Sequence, residues 1–178
     1  LTTMNLKNKS KKKIIITACN SNIGKDLVNH FIKKKYNVLG TYKKKKYQFK
    51  SPYITYLNYE FKKKFLVKEN FDMLIHCASL TPYKYKISNK IMKLNYIGFK
   101  KILNSKSNFK KIVLLSTISV YGETNEKVIN ENSKIKKVNA YGKSKIKMEK
   151  ILINYCKRNK TDFLILRLPG VIGNFKAD

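Results

Sequence analysis

The sequence predicts an α/β protein in which a parallel, doubly wound sheet is covered by helices on both faces. Apolar runs of strand length alternate with longer segments of helical periodicity. No internal repeat and no low-complexity linker interrupts this alternation. The 178 residues, 43% of them hydrophobic, suffice for one domain with a core but not for two. We therefore expect a basic disordered tail over residues 1–12 and one domain over residues 13–178.

The first βαβ unit is read from the N-terminal part of the chain. Lys13 to Thr17 is an apolar run that predicts a buried strand, and Asn22 to Lys35 carries apolar residues at helical spacing. Asn37 to Tyr42 predicts a second strand, which gives the unit the expected length of about 30 residues. The elements predicted after it are strands at Tyr53 to Asn58, Asp72 to Cys77, Lys111 to Ser116 and Asp162 to Leu168, with helices at Lys90 to Leu103 and Ala140 to Lys157.

The formal net charge of +30 taken alone would indicate a nucleic-acid partner or an anionic membrane. Only Arg158 and Arg167 among the 40 basic residues are arginine, however, and nucleic-acid binders usually rely on arginine. The lysines are spread over every segment rather than gathered on one. We therefore expect solvated lysines and no nucleic-acid partner.

The three cysteines, Cys19, Cys77 and Cys156, have no CxxC spacing and no histidine-rich neighbourhood. This pattern predicts neither a metal site nor a disulfide framework, and it favours a reducing, cytoplasmic location. No stretch has the apolar core of a signal peptide, and no long uncharged span predicts a membrane helix.

The turn after the first strand lies where a dinucleotide-binding domain places its glycines, because the backbone must approach the pyrophosphate at a helix N-terminus. Against the pattern T-G-x-x-G-x-x-G, Ala18 and Ser21 stand at the first two glycine positions and only Gly24 remains. A Cβ at a position of positive φ costs about 1 kcal/mol or more. A plain turn without a ligand therefore stays open. The candidate cofactor-binding residues of this turn are Thr17, Ala18, Ser21, Asn22, Ile23 and Gly24.

A second signal is the YxxxK spacing of Tyr141 and Lys145 at the start of a predicted helix. Residues four apart lie on one helical face, and an ammonium beside a phenol lowers the phenol pKa. Such a tyrosine is a usable general acid or base for hydride transfer at a carbinol carbon. In a lysine-rich chain this spacing also arises by chance, so its neighbours must support it.

An ordered set of motifs runs from residue 13 to residue 174 and resembles the extended short-chain dehydrogenase/reductases, the NAD-dependent epimerase/dehydratase family of nucleotide-sugar enzymes. The resemblance implies a Rossmann-like domain whose C-terminal substrate-binding part is missing from this chain. The segments that carry it are Asp72 to Ser79, Asn95 to Gly98, Ser116 to Gly122, Glu131, Asn139 to Lys145, Glu149 and Arg167 to Gly173.

The resemblance implies that Thr117 hydrogen-bonds the reacting oxygen and that Tyr141 moves the proton. It further implies that Lys145 holds the nicotinamide ribose and lowers the Tyr141 pKa. Asn58 stands where the family usually has an aspartate at the adenine. The small-residue turn Cys77–Ala78 and the helix residue Asn95 are also implied in cofactor binding.

The segment after the second strand bears on the choice between NADP and NAD. An acidic residue there binds the ribose 2′-hydroxyl of NAD, whereas a cation binds the 2′-phosphate of NADP. The chain has Lys43 and Lys44 and no carboxylate there, which favours NADP. The alternative is that these lysines belong to a solvated lysine run and bind no phosphate. The family's dehydratases carry an Asp-Glu pair where this chain has Ile118 and Ser119. A nucleotide-sugar epimerase and a keto-sugar reductase therefore both remain.

The resemblance also implies that the sugar-binding part follows the last strand, so we expect little turnover from the 178-residue piece alone. Family members often form homodimers through a four-helix bundle, for which Ile146, Ile151, Leu152 and Tyr155 form either the contact face or a core stripe. A non-catalytic dinucleotide sensor of the same fold is the alternative function, supported by the missing glycines.

Overall fold

The computed structural model describes residues 11–44, 49–82 and 88–171. Its single sheet has six parallel strands in the order β3-β2-β1-β4-β5-β6, and three helices cross between them. The predicted α/β class and each predicted element are therefore confirmed. The elements are β1 Lys13–Thr17, α1 Asn22–Lys33, β2 Asn37–Tyr42, β3 Ile54–Asn58, β4 Asn70–His76, α2 Asn89–Leu103, β5 Asn108–Thr117, α3 Ala140–Asn159 and β6 Asp162–Leu168, with a 3-10 turn at Ile118–Val120.

The sheet is buried on both faces because successive side chains of a strand point in opposite directions. In β1, Ile14 and Ile16 pack with Val28 of α1, whereas Ile15 packs into the larger cluster on the other face. That cluster contains Phe99 of α2 and Leu152 of α3. Three successive isoleucines thus serve both cores, which explains why this strand reads as an unbroken apolar run.

Each helix starts at a polar side chain that satisfies an exposed N–H group of the first turn. Ser21 caps α1 by accepting from Gly24 N–H, Ser88 caps α2, and Asn139 caps α3 by accepting from Gly142 N–H. These caps fix where the helices begin.

The strand order reverses beside β1, since β2 and β3 lie on one side of it and β4, β5 and β6 on the other. In doubly wound sheets, ligands bind outside the carboxyl ends of the strands at this switch point. The ends of β1 and β4 lie in register there, with Thr17 opposite His76.

Several expectations concern residues outside the described ranges. The predicted tail falls outside them from residue 1 to residue 10, and so do Ile172 and Gly173 of the last motif. Among the described helices, none is long and apolar enough to span a bilayer.

Candidate functional site

The carboxyl ends of β1 and β4 are tied together by one hydroxyl group. The buried Thr17 Oγ1 accepts hydrogen bonds from the backbone N–H groups of Cys77 and Ala78, both at 3.0 Å, and lies 3.1 Å from His76 Nδ1. With two N–H donors on its oxygen, the hydroxyl uses its own proton toward Nδ1, so the His76 proton lies on Nε2. Thr17 thereby fixes the turn after β4 against the turn after β1.

The turn between β1 and α1 keeps the tight path expected of a dinucleotide-binding turn, although two glycines are absent. Ala18 adopts the left-handed conformation, with φ of +51°, so the expected strain is present at this position. Ser21 does not need a glycine, because its φ is −74°. Its hydroxyl donates to Ala18 O at 2.7 Å and caps the helix. A Cβ at Gly24 would collide with the Ala18 carbonyl oxygen, which explains why this glycine remains.

A cavity of about 300 Å³ opens at this switch point. Lys43, the lysine predicted to lie near the adenosine ribose, is among the residues that line it. Asn58 does not: it is exposed, and its side-chain amide donates to Lys43 O at 3.0 Å. The three residues after it line the cavity instead. The full lining is Ala18, Thr41, Tyr42, Lys43, Tyr59, Glu60, Phe61, Lys62, Ala78, Ser79, Leu80, Thr81 and Leu94.

The wall of this cavity explains the glycine of the N-x-x-G motif. A Cβ at Gly98 would collide with the Phe61 ring, and the Gly98 carbonyl oxygen accepts from the Tyr59 hydroxyl at 3.0 Å. The segment after β3 therefore packs directly on α2. Its contribution escaped sequence reasoning because the pattern Tyr-Glu-Phe carries no recognised motif.

Asn95 is fully buried and braces the loop after β4. Its Oδ1 accepts from Leu80 N–H at 2.7 Å, and its Nδ2 donates to Leu80 O and to the Ser144 hydroxyl, both at 3.2 Å. Asn95 does not line the cavity, so it holds the loop that lines it.

The structure brings the end of β5 against the start of α3. A Cβ at Gly142 would collide with the Ser119 carbonyl oxygen, so the glycine lets the helix approach this turn closely. Ser119 in turn is bonded to Thr117, whose Oγ1 accepts from Ser119 N–H at 3.2 Å. Thr117 and the Tyr141 to Lys145 segment therefore belong to one compact unit.

Lys145 is buried, and its ammonium donates to Leu115 O at 2.7 Å. Burial lowers its pKa to about 8. Its Nζ lies 5.8 Å from the centroid of the Tyr141 ring. The pKa of Tyr141 is nevertheless raised, because the ring is substantially buried, and the neighbouring Ser79 hydroxyl acts in the opposite direction. The lowering expected from Lys145 does not appear: desolvation of the phenol is the larger influence, and the Ser79 hydroxyl is the one that opposes it.

A partly buried ion pair, with Glu149 buried and Arg167 a quarter exposed, fastens α3 to β6. Glu149 accepts from Arg167 Nε at 3.2 Å and Nη2 at 2.8 Å, and also from the Ser116 hydroxyl. Arg167 Nη1 donates to the hydroxyl of the buried Tyr121 at 2.8 Å. Glu149 and Arg167 matched the motif set by position alone, and only the structure reveals that they are partners.

Cys19, Cys77 and His76 are packed in the fold, whereas His30 is exposed. Burial raises the pKa of Cys19 to about 11 and that of Cys77 to about 12, so both thiols are protonated at neutral pH. Burial lowers the pKa of His76 to about 3. His30 makes an edge-on ring contact with Phe31. Within the described ranges, no group of three His, Cys, Asp or Glu residues is arranged to hold a metal ion.

The suggested dimer face is mostly core. Leu152 is fully buried, and Ile151 and Tyr155 pack against the same core cluster. Ile146 lies apart from them, on a groove between α2 and α3. These four residues therefore do not form one outward face, because the stripe faces the sheet.

An open α/β sheet with a cavity at its switch point is the arrangement of a dinucleotide-binding domain. The model of the NAD dependent epimerase/dehydratase family matches residues 14–178, and the chain belongs to this family.

Curated relatives are similar over part of their length. The chain is 32% identical over 121 residues to a UDP-glucose 4-epimerase of Caenorhabditis elegans, which covers 62% of this chain and 34% of that protein. It is 34% identical over 99 residues to a UDP-glucose 4-epimerase of Lacticaseibacillus casei, covering 53% of this chain and 30% of that protein. The chain thus spans about a third of these relatives.

Solved structures share the fold at lower identity. UDP-glucuronic acid 4-epimerase from Bacillus cereus, in complex with NAD, superposes with a TM-score of 0.73 at 20% identity. The match covers 90% of this chain and 57% of that chain.

Proposed function

We propose that this chain is the cofactor-binding part of a nucleotide-sugar epimerase that uses NADP or NAD. The observation that carries the proposal is the position of Ser79, which lines the switch-point cavity and also neighbours the Tyr141 phenol. We therefore infer that the cavity and the YxxxK helix belong to one site. The family membership and the relatives named UDP-glucose 4-epimerase support the same activity for the whole protein.

The residues around the cavity fit a dinucleotide. The tight turn from Ala18 to Gly24 brings backbone N–H groups and the α1 N-terminus to the switch point, an arrangement that favours a pyrophosphate. Lys43 lines the cavity, and a cation after the second strand would favour a 2′-phosphate and hence NADP. When bound, the nicotinamide supplies hydride acceptance and return at one sugar carbon.

The chain's own side chains supply proton transfer and orientation. Thr117 is assigned to hydrogen-bond the reacting sugar oxygen, and Tyr141 to exchange a proton with that oxygen. Lys145 is assigned to the nicotinamide ribose. It would leave its present acceptor, Leu115 O, when it takes this role. Its depressed pKa means that burial has already weakened the preference of the amine for charge.

The proposal is tested by titrating the purified chain with NADPH and with NADH and following nicotinamide fluorescence. We expect both to bind, with NADPH the tighter. Lys43→Ala should weaken NADPH binding about tenfold, as expected when a contact of about 1.4 kcal/mol is lost, and leave NADH binding unchanged. Lys50→Ala, an exposed lysine outside the cavity lining, is the matched control.

Each outcome has a defined meaning. If neither NADPH nor NADH binds, the cofactor assignment is contradicted. Tight binding that persists in a longer chain without turnover of a UDP-sugar favours the dinucleotide sensor, which the eroded glycine pattern also suggests. Stoichiometric consumption of NADPH with a keto-sugar favours a reductase over an epimerase.

A further inference from the structure

Ser79 carries a hydroxyl whose position calls for an explanation. Its Oγ is buried and has no hydrogen-bond partner within the part of the chain that the structure describes. A buried hydroxyl without a partner costs about 1–3 kcal/mol, and native structures contain few of them. The turn that contains Ser79 is otherwise well satisfied, since Thr17 binds the N–H groups of Cys77 and Ala78.

The group next to this hydroxyl is the phenol of Tyr141. The two are close enough to interact, and Ser79 is the side chain that lowers the Tyr141 pKa against the effect of burial. No hydrogen bond of normal length joins them within the described residues. Catalytic hydrogen bonds are often long before the ligand binds and shorten in the complex.

The ionisable groups near this point differ in how they are bound. The Lys145 ammonium donates to Leu115 O, and Glu149 is bound to Arg167 and Ser116. The Cys77 thiol is protonated at neutral pH, because burial raises its pKa to about 12. His76 is bonded through Nδ1 to Thr17, and its Nε2 is buried without a partner among the described residues, with the ring against Phe99. Ser79 is the unpartnered group that also acts on the pKa of the Tyr141 phenol.

We propose that Ser79 is a positioning residue for proton transfer, whose hydroxyl donates a hydrogen bond to the Tyr141 oxygen when that oxygen is negatively charged. The inference rests on the proposed function. As the sugar carbonyl carbon takes a hydride, which the reduced nicotinamide would supply, Tyr141 gives its O–H proton to the carbonyl oxygen. Tyr141 is left as the phenolate, and Ser79 keeps its own proton while it donates to that phenolate. In the reverse step, Tyr141 recovers the proton and the Ser79 hydrogen bond lengthens again.

The test follows the ionisation of Tyr141 directly. The chain is labelled with 3-fluorotyrosine, which acidifies the phenol, and the ¹⁹F resonance of Tyr141 is assigned by its loss in Tyr141→Phe among the 12 tyrosines. Ser79→Ala should raise the apparent pKa of Tyr141 by roughly 0.5–1 unit, the equivalent of one lost hydrogen bond. Ser79→Thr, which keeps the hydroxyl, should restore most of the shift.

Ser107→Ala is the matched control, because Ser107 is buried but its hydroxyl donates to Val67 O far from the site. Ser107→Ala should lower the unfolding midpoint and leave the Tyr141 titration unchanged. Ser79→Ala should shift the Tyr141 titration without lowering the unfolding midpoint, because it removes a hydroxyl that has no partner in the resting fold.

An unchanged Tyr141 titration in Ser79→Ala, or an equal shift in Ser107→Ala, overturns the inference. NADPH and NADH binding are measured on the same samples. If the wild type binds nucleotide but the titration is unaffected, the inference fails and the proposed function stands. If the wild type binds neither nucleotide, the proposed function fails whatever the titration shows.

Discussion

Two regions differ in how many residues of their sequence motifs they retain. One is the turn at residues 18–24, and the other is the unit formed by the end of β5 and the start of α3, called here the β5–α3 unit. The turn has lost two glycines of its pattern but keeps the path, with Ala18 held at φ +51°. The β5–α3 unit keeps the threonine, tyrosine and lysine of its pattern, and Thr117 and Lys145 are held in place by burial. A backbone conformation thus tolerates a strained residue, whereas a chemical site needs its particular side chains.

The contrast has a physical basis in how each region is supported. The turn is stabilised by local bonds, such as Ser21 to Ala18 and to Gly24. The β5–α3 unit is stabilised by long-range contacts, including the close approach of Gly142 to Ser119 and the ion pair of Glu149 with Arg167. Changes in the unit should therefore cost more than changes in the turn.

The largest effect is expected from Glu149→Ala. The change leaves Arg167 without its carboxylate and Ser116 without its acceptor, so we expect a loss of about 3 kcal/mol in the free energy of unfolding. Urea denaturation at neutral pH measures it. Lys110→Ala, which removes a solvent-exposed ion pair with Asp72, is the control and should change stability by less than about 1 kcal/mol. Equal losses in both variants would mean that the buried pair does not hold α3.

A smaller, pH-dependent effect is expected from His76 at the end of β4, whose Nδ1 is bonded to Thr17 at the end of β1. Its pKa in the folded chain is about 3, below the ordinary value of 6.5, so the unfolded chain takes up a proton first as the pH falls. The contribution of neutral His76 to the free energy of unfolding should be fully present above pH 6.5. It should decline between pH 6.5 and 3, by up to about 1.4 kcal/mol per pH unit.

The measurement for His76 is urea denaturation at pH 7.5 and at pH 5.0, in wild type and in His76→Gln. The wild type should lose more stability between the two pH values than the variant loses. His30→Gln, which changes an exposed histidine on α1, should retain the wild-type pH dependence. Identical pH dependence in His76→Gln and wild type would contradict a neutral, buried His76.

The smallest effect is expected at the turn itself. Ala18→Gly removes the strain of a Cβ in the left-handed region and should stabilise the chain by about 0.5–1 kcal/mol, even after the greater freedom of the unfolded glycine. Ala140→Gly in the first turn of α3 is the control and should destabilise by a similar amount. If Ala18→Gly also lowers the free energy of unfolding, the left-handed conformation of Ala18 does not strain the folded chain.

Much of this arrangement was predictable from the sequence. Hydrophobic periodicity located the strands and helices, and β2 and β6 have the predicted bounds because Asn37 and Asp162 mark where the apolar runs begin. Local periodicity decides such elements, since a strand buried on both faces and a helix buried on one face need different spacings. The order of the motifs also predicted the family to which the chain belongs.

The partnerships across the sheet could not be predicted. Asn58 occupied the expected place in the sequence, yet its amide is bound to Lys43 O while Glu60 and Phe61 line the cavity. The proximity of Ser79 to Tyr141 brings together residues 62 positions apart, from the turn after β4 and the start of α3. The direction of the Tyr141 pKa shift could not be predicted either, because the YxxxK spacing indicates a nearby lysine but not the burial of the ring.

The sequence by itself thus determined the α/β class, the positions of the elements and the residue types at the candidate site, all of which depend on local spacing and composition. Only the tertiary structure decided that Ala18 is strained, that Ser21 is a cap, and that Ser79 faces the phenol. Those properties arise where the ends of strands distant in the chain meet, and burial and hydrogen bonding there depend on neighbours that spacing does not identify.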